Sequence, residues 1–130
     1  MKCLIVEDDP VSSQVLEKMI SMYGTFDVAD NGQVAVDLFR QGHDNQYDLI
    51  LMDILMPVVN GLQSVQTIRE LEASMDIPLT QRVKIIMTTA LDDPRTVMKA
   101  LYESDANSYL IKPIRLEKFE NELRMLQLIS

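Results

Sequence analysis

The chain is poor in the residues that build disulfide and zinc scaffolds. Its 130 residues include one cysteine, Cys3, and one histidine, His43. A single cysteine cannot close an intramolecular disulfide, and nothing around it makes a zinc site. Cys3 stands inside an apolar run and reads as a core residue. His43 lies in the polar stretch QGHDNQ with no ligand set nearby, which argues against a phosphohistidine or catalytic role. No apolar run approaches the roughly 18 residues that a membrane helix needs. The N-terminus, MKCLIVEDD, turns acidic too early for a signal peptide. Positive charge is scarce too: 12 Lys and Arg face 20 Asp and Glu, for a net charge of −8. That balance disfavours direct nucleic-acid binding, which works through Lys and Arg at phosphates. It suits divalent cations or basic patches on other proteins. There is no linker, low-complexity segment or internal repeat. The expectation is a soluble, cytoplasmic chain forming one domain over residues 1–130.

What is present is alternation. Hydrophobic residues make up 47% and charged residues 25% of the chain, an ordinary globular balance. Short apolar runs read as strands at Cys3–Val6, Phe26–Ala29, Leu49–Met52, Val83–Met87 and Ser108–Ile111. Helical patterns fall between and after them. Asp9-Pro10 marks the first helix, with Asp9 as N-cap and Pro10 at the first helical position; Gly24 ends it. Asn31-Gly32 opens the second and Gly42 closes it. Gly61 begins the third, Asp92-Asp93-Pro94 caps the fourth, and the fifth runs from Leu116 to Ile129. Residues 73–82, ASMDIPLTQR, read as a surface connection. Continuously apolar strands alternating with helices imply a parallel sheet covered on both faces, and right-handed crossovers make it doubly wound. The fold class is α/β, five strands in the common order 2-1-3-4-5 with five helices.

The stretch LILMDILMP, residues 49–57, sets one carboxylate in an apolar run. Burying even a neutral polar group without a partner costs about 2–7 kcal/mol, so Asp53 needs a partner or a task. In open α/β sheets ligands bind at the carboxyl ends of the strands. The first strand ends in Glu7-Asp8-Asp9, the third in Asp53, the fourth in Thr88-Thr89-Ala90 and the fifth in Lys112-Pro113. Adjacent carboxylates would repel unless they share a proton or hold a cation. Glu7, Asp8 and Asp53 are hard oxygen donors, which suits Mg2+, with Mn2+ as the alternative. A carboxylate beside such a cation can attack phosphorus and become an aspartyl phosphate. Phosphoryl transfer asks mainly for positioning and charge neutralisation. Lys112 offers a cation and Thr89 a hydroxyl.

Four stretches in this order, LIVEDD, LILMDILMP followed by Asn60-Gly61, IIMTTA and SYLIKP, closely resemble the receiver (CheY-like) domains of two-component response regulators. The resemblance spans nearly the whole chain. It implies that Asp53 is the phosphoacceptor, that Glu7 and Asp8 are the acidic pair with Asp8 the direct metal ligand, and that the backbone carbonyl of Leu55 completes the metal site. It further implies that Thr89 is the switch hydroxyl, Lys112 the phosphate-binding lysine before a cis Lys-Pro bond, and Tyr109 the aromatic switch residue. The phosphoryl donor would be a histidine kinase or a histidine phosphotransfer protein. Output would be protein–protein contact through the face of the fourth helix, fifth strand and fifth helix, with a downstream target or in a phosphorylation-dependent homodimer. Such a domain is a phosphoacceptor with at most slow self-catalysis, not an enzyme in the usual sense. The remaining alternative within the family is a receiver belonging to a larger regulator.

Two positions depart from the usual pattern. Leu55 and Leu91 are apolar where the family often carries polar residues that help orient water, so the phosphoryl group is expected to live longer than seconds. Other classes fit less well. Phosphohydrolases of the haloacid dehalogenase type place D-x-D-x-T after the first strand, where this chain has EDDPV. A flavodoxin needs a hydroxyl-rich phosphate loop there, and EDDP would repel a phosphate. A receiver that binds without phosphorylation would not need the full residue set. Tyr23, Tyr47 and Tyr102 read as packing or surface residues, and the nine methionines as core.

Overall fold

The structure is a computed structural model; it describes residues 1–41, 47–54, 60–90 and 94–130, without the side chains of residues 94, 96, 99 and 100. Five strands, β1 (Lys2–Val6), β2 (Thr25–Ala29), β3 (Leu49–Asp53), β4 (Lys84–Thr89) and β5 (Ser108–Ile111), form one parallel sheet in the order β2-β1-β3-β4-β5. Between and after them run α1 (Pro10–Ser21), α2 (Gly32–Gln41), α3 (Gly61–Ser74), α4 (Pro94–Ser104) and α5 (Leu116–Met125), with a 3-10 turn at Leu79–Gln81. This is the doubly wound α/β fold expected from the alternation of apolar runs.

Strand alternation divides the core in two. Leu4, Val6, Ile50, Met52, Ile85 and Met87 pack on one sheet face with Ala35, Val36 and Phe39 of α2 and Val65 and Ile68 of α3. Cys3, Ile5, Leu49, Leu51 and Ile86 pack on the other with Leu16 and Ile20 of α1 and Phe119 and Leu123 of α5. The central strand β3 is buried along its whole length, which is why its sequence is a continuous apolar run rather than an alternating one. Each fully buried Leu or Ile contributes about 1.5–3 kcal/mol. Strand β2, at the sheet edge, is largely exposed, in keeping with its more polar sequence.

The helix starts follow local chemistry. Asp9 Oδ2 accepts from Ser12 N at 3.1 Å and from Ser12 Oγ at 2.8 Å, so it caps α1, with Pro10 at its first position. Asn60 caps α3 through Gln63 N at 2.9 Å. The expected caps of α4 at Asp92 and Asp93 lie outside the described residues, as do Gly42 and His43. Several boundaries differ from expectation, among them β4, which runs Lys84–Thr89 rather than Val83–Met87. Helix α5 stops at Met125, not Ile129, because Gln127 takes φ 61° and Leu128 N turns back to Leu123 O at 2.9 Å. Leu126, Leu128 and Ile129 then pack against the core beside α1 and α5. The apolar spacing there serves a folded-back tail instead of a further helical turn. The 73–82 connection also holds more helix than expected, since α3 runs on to Ser74 before the 3-10 turn.

Candidate functional site

The carboxyl end of the sheet gathers the residues singled out from the sequence. Strand β1 delivers Glu7 and Asp8, β3 delivers Asp53, β4 delivers Thr88 and Thr89, and the chain leaving β5 delivers Lys112. Ligand oxygens of Glu7, Asp8 and Asp53 all lie within 4.8 Å of one another. Glu7 and Asp53 are buried, at 2% and 5% exposure, while Asp8 is exposed. Asp9 stands apart as the helix cap, so the three consecutive acids divide into two site residues and one cap.

Two unit charges at such separations repel by about 3.5 kcal/mol or more at an effective dielectric near 20. Lys112 offsets part of this. Its Nζ donates to Glu7 Oε1 and, at 3.3 Å, to Asp53 Oδ2. Burial and the neighbouring Asp53 carboxylate push the Glu7 carboxyl above its ordinary range despite the Lys112 contact. Burial alone would lower Lys112, but its hydrogen bond with Glu7 and the charge of Asp53 outweigh that and hold the ammonium above its ordinary range. Among the described residues, one cation, Lys112, pairs with these three carboxylates through Glu7 and Asp53, which leaves the cluster short of positive charge. Hard oxygens, no thiolate and excess negative charge are the donor chemistry of a Mg2+ site.

The backbone locks this arrangement. Ile54 N donates to Thr88 O at 3.0 Å and Lys112 N to Thr89 O at 2.7 Å, which ties the ends of β3, β4 and β5 together. The Lys112-Pro113 peptide is cis. Gly61 opens α3 directly against the site: a Cβ there would stand 2.1 Å from the Asp53 carbonyl oxygen. The sequence shows Gly61 only as a helix start; the close approach depends on how α3 packs. Thr89 is fully buried, and Tyr109 is half-buried against the same sheet face, the one that carries Met87. The Leu55 carbonyl and the Leu91 side chain lie outside the described residues.

Comparison with known proteins agrees with this geometry. The pattern of the family described as "Response regulator receiver domain" matches residues 3–124. The chain belongs to that family. Among curated proteins, this receiver is 36% identical over 124 residues to the probable transcriptional regulator ycf27 of Guillardia theta, covering 95% of this chain and 44% of that protein. The curated relatives it matches are longer, and the receiver spans less than half of their length. Among solved structures, the receiver superimposes with a TM-score of 0.83 and 26% identity on a chain of the co-crystal structure of the Saccharomyces cerevisiae histidine phosphotransfer signaling protein Ypd1 and the receiver domain of its downstream response regulator Ssk1, covering 99% of this chain and 92% of that one. It superimposes with a TM-score of 0.76 and 27% identity on the response regulator protein TrrA of Thermotoga maritima in complex with Mg(2+)-BeF, covering 96% and 97%. The flavodoxin and haloacid dehalogenase readings are thereby set aside. Among the described residues no helix is long and apolar enough to cross a membrane.

Proposed function

We propose that this receiver, taking residues 1–130 as one unit, accepts a phosphoryl group on Asp53 from the phosphohistidine of a histidine kinase or phosphotransfer protein. The observation that carries the reading is the crowding of the Glu7, Asp8 and Asp53 carboxylates, with the Lys112 ammonium donating to Glu7 and Asp53. A buried strand that ends in such a cluster is arranged for chemistry, since packing alone would favour an apolar residue.

Glu7, Asp8 and Asp53 would hold Mg2+, with the Leu55 carbonyl as the further ligand. When bound, the cation neutralises both the carboxylates and the incoming phosphoryl oxygens. An Asp53 carboxylate oxygen attacks phosphorus as the phosphorus–nitrogen bond breaks, and the electron pair leaves with the imidazole. Lys112 then pairs with a phosphoryl oxygen. Thr89, at the end of β4, donates its hydroxyl to the same group, and Tyr109 follows on the same sheet face. The α4–β5–α5 face carries the response to a target or to a second copy of the chain as a population shift. The donor approaches beside α1, where Val11, Val15, Lys112 and Ile114 line an apolar groove of about 350 Å³ next to the cluster. The greater length of the curated relatives favours a second reading of the output, in which it passes to a linked domain.

The test is intact mass after incubation with Mg2+ and acetyl phosphate, beside Asp53→Asn. A gain of one phosphoryl group by the parent alone is expected. An equal gain in both proteins would place the acceptor elsewhere and overturn the assignment.

A further inference from the structure

Glu7 does more than lend charge to the acidic cluster. Its side chain is wholly buried, and the chain itself engages both of its oxygens. Oε1 accepts from Lys112 Nζ, and Oε2 accepts from Asp9 N at 3.3 Å. Asp8, the next residue, is exposed by contrast.

The pairing with Lys112 fixes a side chain that is hard to fix. Lysine carries its charge on a flexible four-carbon stem, and holding it in one place costs rotamer entropy. Here the lysine is held at both ends. Its backbone N donates to Thr89 O at 2.7 Å, which ties it to β4. Its ammonium is tied to β1 through Glu7 and, at 3.3 Å, to Asp53 Oδ2. Glu7 is itself well anchored. Its N donates to Ala29 O at 3.0 Å, and Asp9, which donates to its Oε2, is the cap of α1. An ammonium has three donors. Two serve Glu7 and Asp53, so one remains for an oxygen of an incoming group.

We propose that Glu7 is a positioning residue for Lys112: it holds the ammonium beside Asp53 before the phosphoryl group arrives and keeps it there during transfer. This rests on the proposed phosphoacceptor role of Asp53. As an Asp53 oxygen bonds to phosphorus, the bond from phosphorus to the donor breaks and its electron pair leaves with the donor. Lys112 exchanges Asp53 Oδ2 for a phosphoryl oxygen, while its bond to Glu7 Oε1 persists. The lysine is then ordered before the reaction instead of during it, which lowers the barrier. Glu7 touches neither phosphorus nor the attacking oxygen and acts through Lys112. Its charge still counts in the cluster that would hold Mg2+; the lysine is its second task.

The experiment compares the parent, Glu7→Gln, Glu7→Met, Lys112→Met and the double variant Glu7→Met with Lys112→Met. Methionine keeps an unbranched stem and removes the polar end, and urea melts check that each variant folds. Without metal, relaxation NMR reads the order of the Lys112 side chain. It is expected to be ordered in the parent and mobile in Glu7→Met; equal order in the two would overturn the proposal. Phosphoryl gain from acetyl phosphate is then followed by intact mass, at Mg2+ concentrations shown by calorimetry to saturate each protein. Glu7→Met is expected to be slower than the parent by roughly tenfold, the worth of one charge-assisted hydrogen bond. Glu7→Gln, whose oxygen still accepts from the ammonium, is expected to lose about threefold. The double variant is expected to match Lys112→Met within about twofold, since no ammonium is left to position. A Glu7 that served the cation alone would give Glu7→Met the parent rate at saturating Mg2+, or an effect that multiplies with Lys112→Met. Either result overturns the role of Glu7 while that of Asp53 stands. If the parent gains no phosphoryl group from acetyl phosphate or from any histidine-phosphorylated donor, both fall.

Discussion

The two ends of the sheet each bury carboxylates, and they do so in opposite ways. At the amino end of β4, Glu72 of α3 is 1% exposed. Its Oε1 accepts from Arg69 Nη1 at 2.7 Å and its Oε2 from Val83 N at 2.8 Å. Arg69 also donates to Val83 O at 2.9 Å, Asp105 O at 3.0 Å and Asn107 Oδ1 at 3.0 Å. Asn107 Oδ1 in turn accepts from Ile85 N at 2.8 Å. One anion meets one cation there, both carboxylate oxygens are used, and the network clasps α3, β4 and the turn into β5. At the carboxyl end, three carboxylates crowd together, Lys112 contacts Glu7 and Asp53, and Glu7 is raised by burial and by its neighbour Asp53. A satisfied buried carboxylate holds a fold together. A crowded one stores repulsion that a cation or a phosphoryl group can relieve.

Neutralising one carboxylate at each end breaks the comparison most sharply. Glu72→Gln is expected to cost about 3 kcal/mol of stability in urea unfolding, since it strips the partner from a largely buried arginine. Glu7→Gln is expected to cost nothing or to stabilise slightly, because a raised carboxyl pKa means that the fold already disfavours the charged form. Equal losses in the two variants would contradict the contrast between the ends.

Mg2+ sharpens it next. At 100 times its dissociation constant the cation should raise stability by about 2.7 kcal/mol, an effect that EDTA reverses and Asp8→Ala abolishes. Glu72→Gln should keep the full increment on its lower baseline. An undiminished response in Asp8→Ala would remove Asp8 from the metal site.

The smallest effect concerns alkaline pH at the amino end. Tyr47 donates to Asp27 Oδ2 at 2.6 Å, and Lys2 Nζ stands 5.0 Å from its ring centroid. Burial, then the bond to Asp27, pushes its phenol above the ordinary range. A raised folded value means the contribution to stability is full below the unfolded phenol pKa near 10 and fades as pH climbs through the folded value. Tyr47→Phe should therefore cost about 1 kcal/mol at pH 8 and progressively less above pH 10. A cost that stays constant or grows with pH would argue against the Asp27 bond.

Much of the site was legible because its signals are local. Asp9-Pro10 is a cap and a helix start by its own chemistry, and that assignment alone separates Asp9 from Glu7 and Asp8. LILMD reads as a buried strand ending in an acid because β3 is covered on both sides. Other features carried no such signal. Glu72 sits in RELEAS, a stretch that looks like any solvated helix face, and its burial depends on Val83, Asp105 and Asn107 arriving from other elements. The stop of α5 at Met125 was hidden because Leu126, Leu128 and Ile129 keep apolar character on either side of a left-handed Gln127. Gly61 and Thr88 look ordinary in sequence. Their places against the Asp53 carbonyl and opposite Asp53 in the β3–β4 ladder follow from helix docking and strand register.

By itself, then, the sequence determined the alternation of strands and helices, the acidic and basic residues at the strand ends, and the family that this combination marks. These rest on residue type and short spacing, which govern propensity, capping and burial pattern. Only the tertiary structure decided which carboxylates are crowded and which are matched, and which hydroxyls among the described residues, those of Thr88 and Ser104, are buried without a partner. Those outcomes depend on the few ångströms between groups far apart in the chain, and in a low-dielectric interior such distances set the energy of every charge and hydrogen bond.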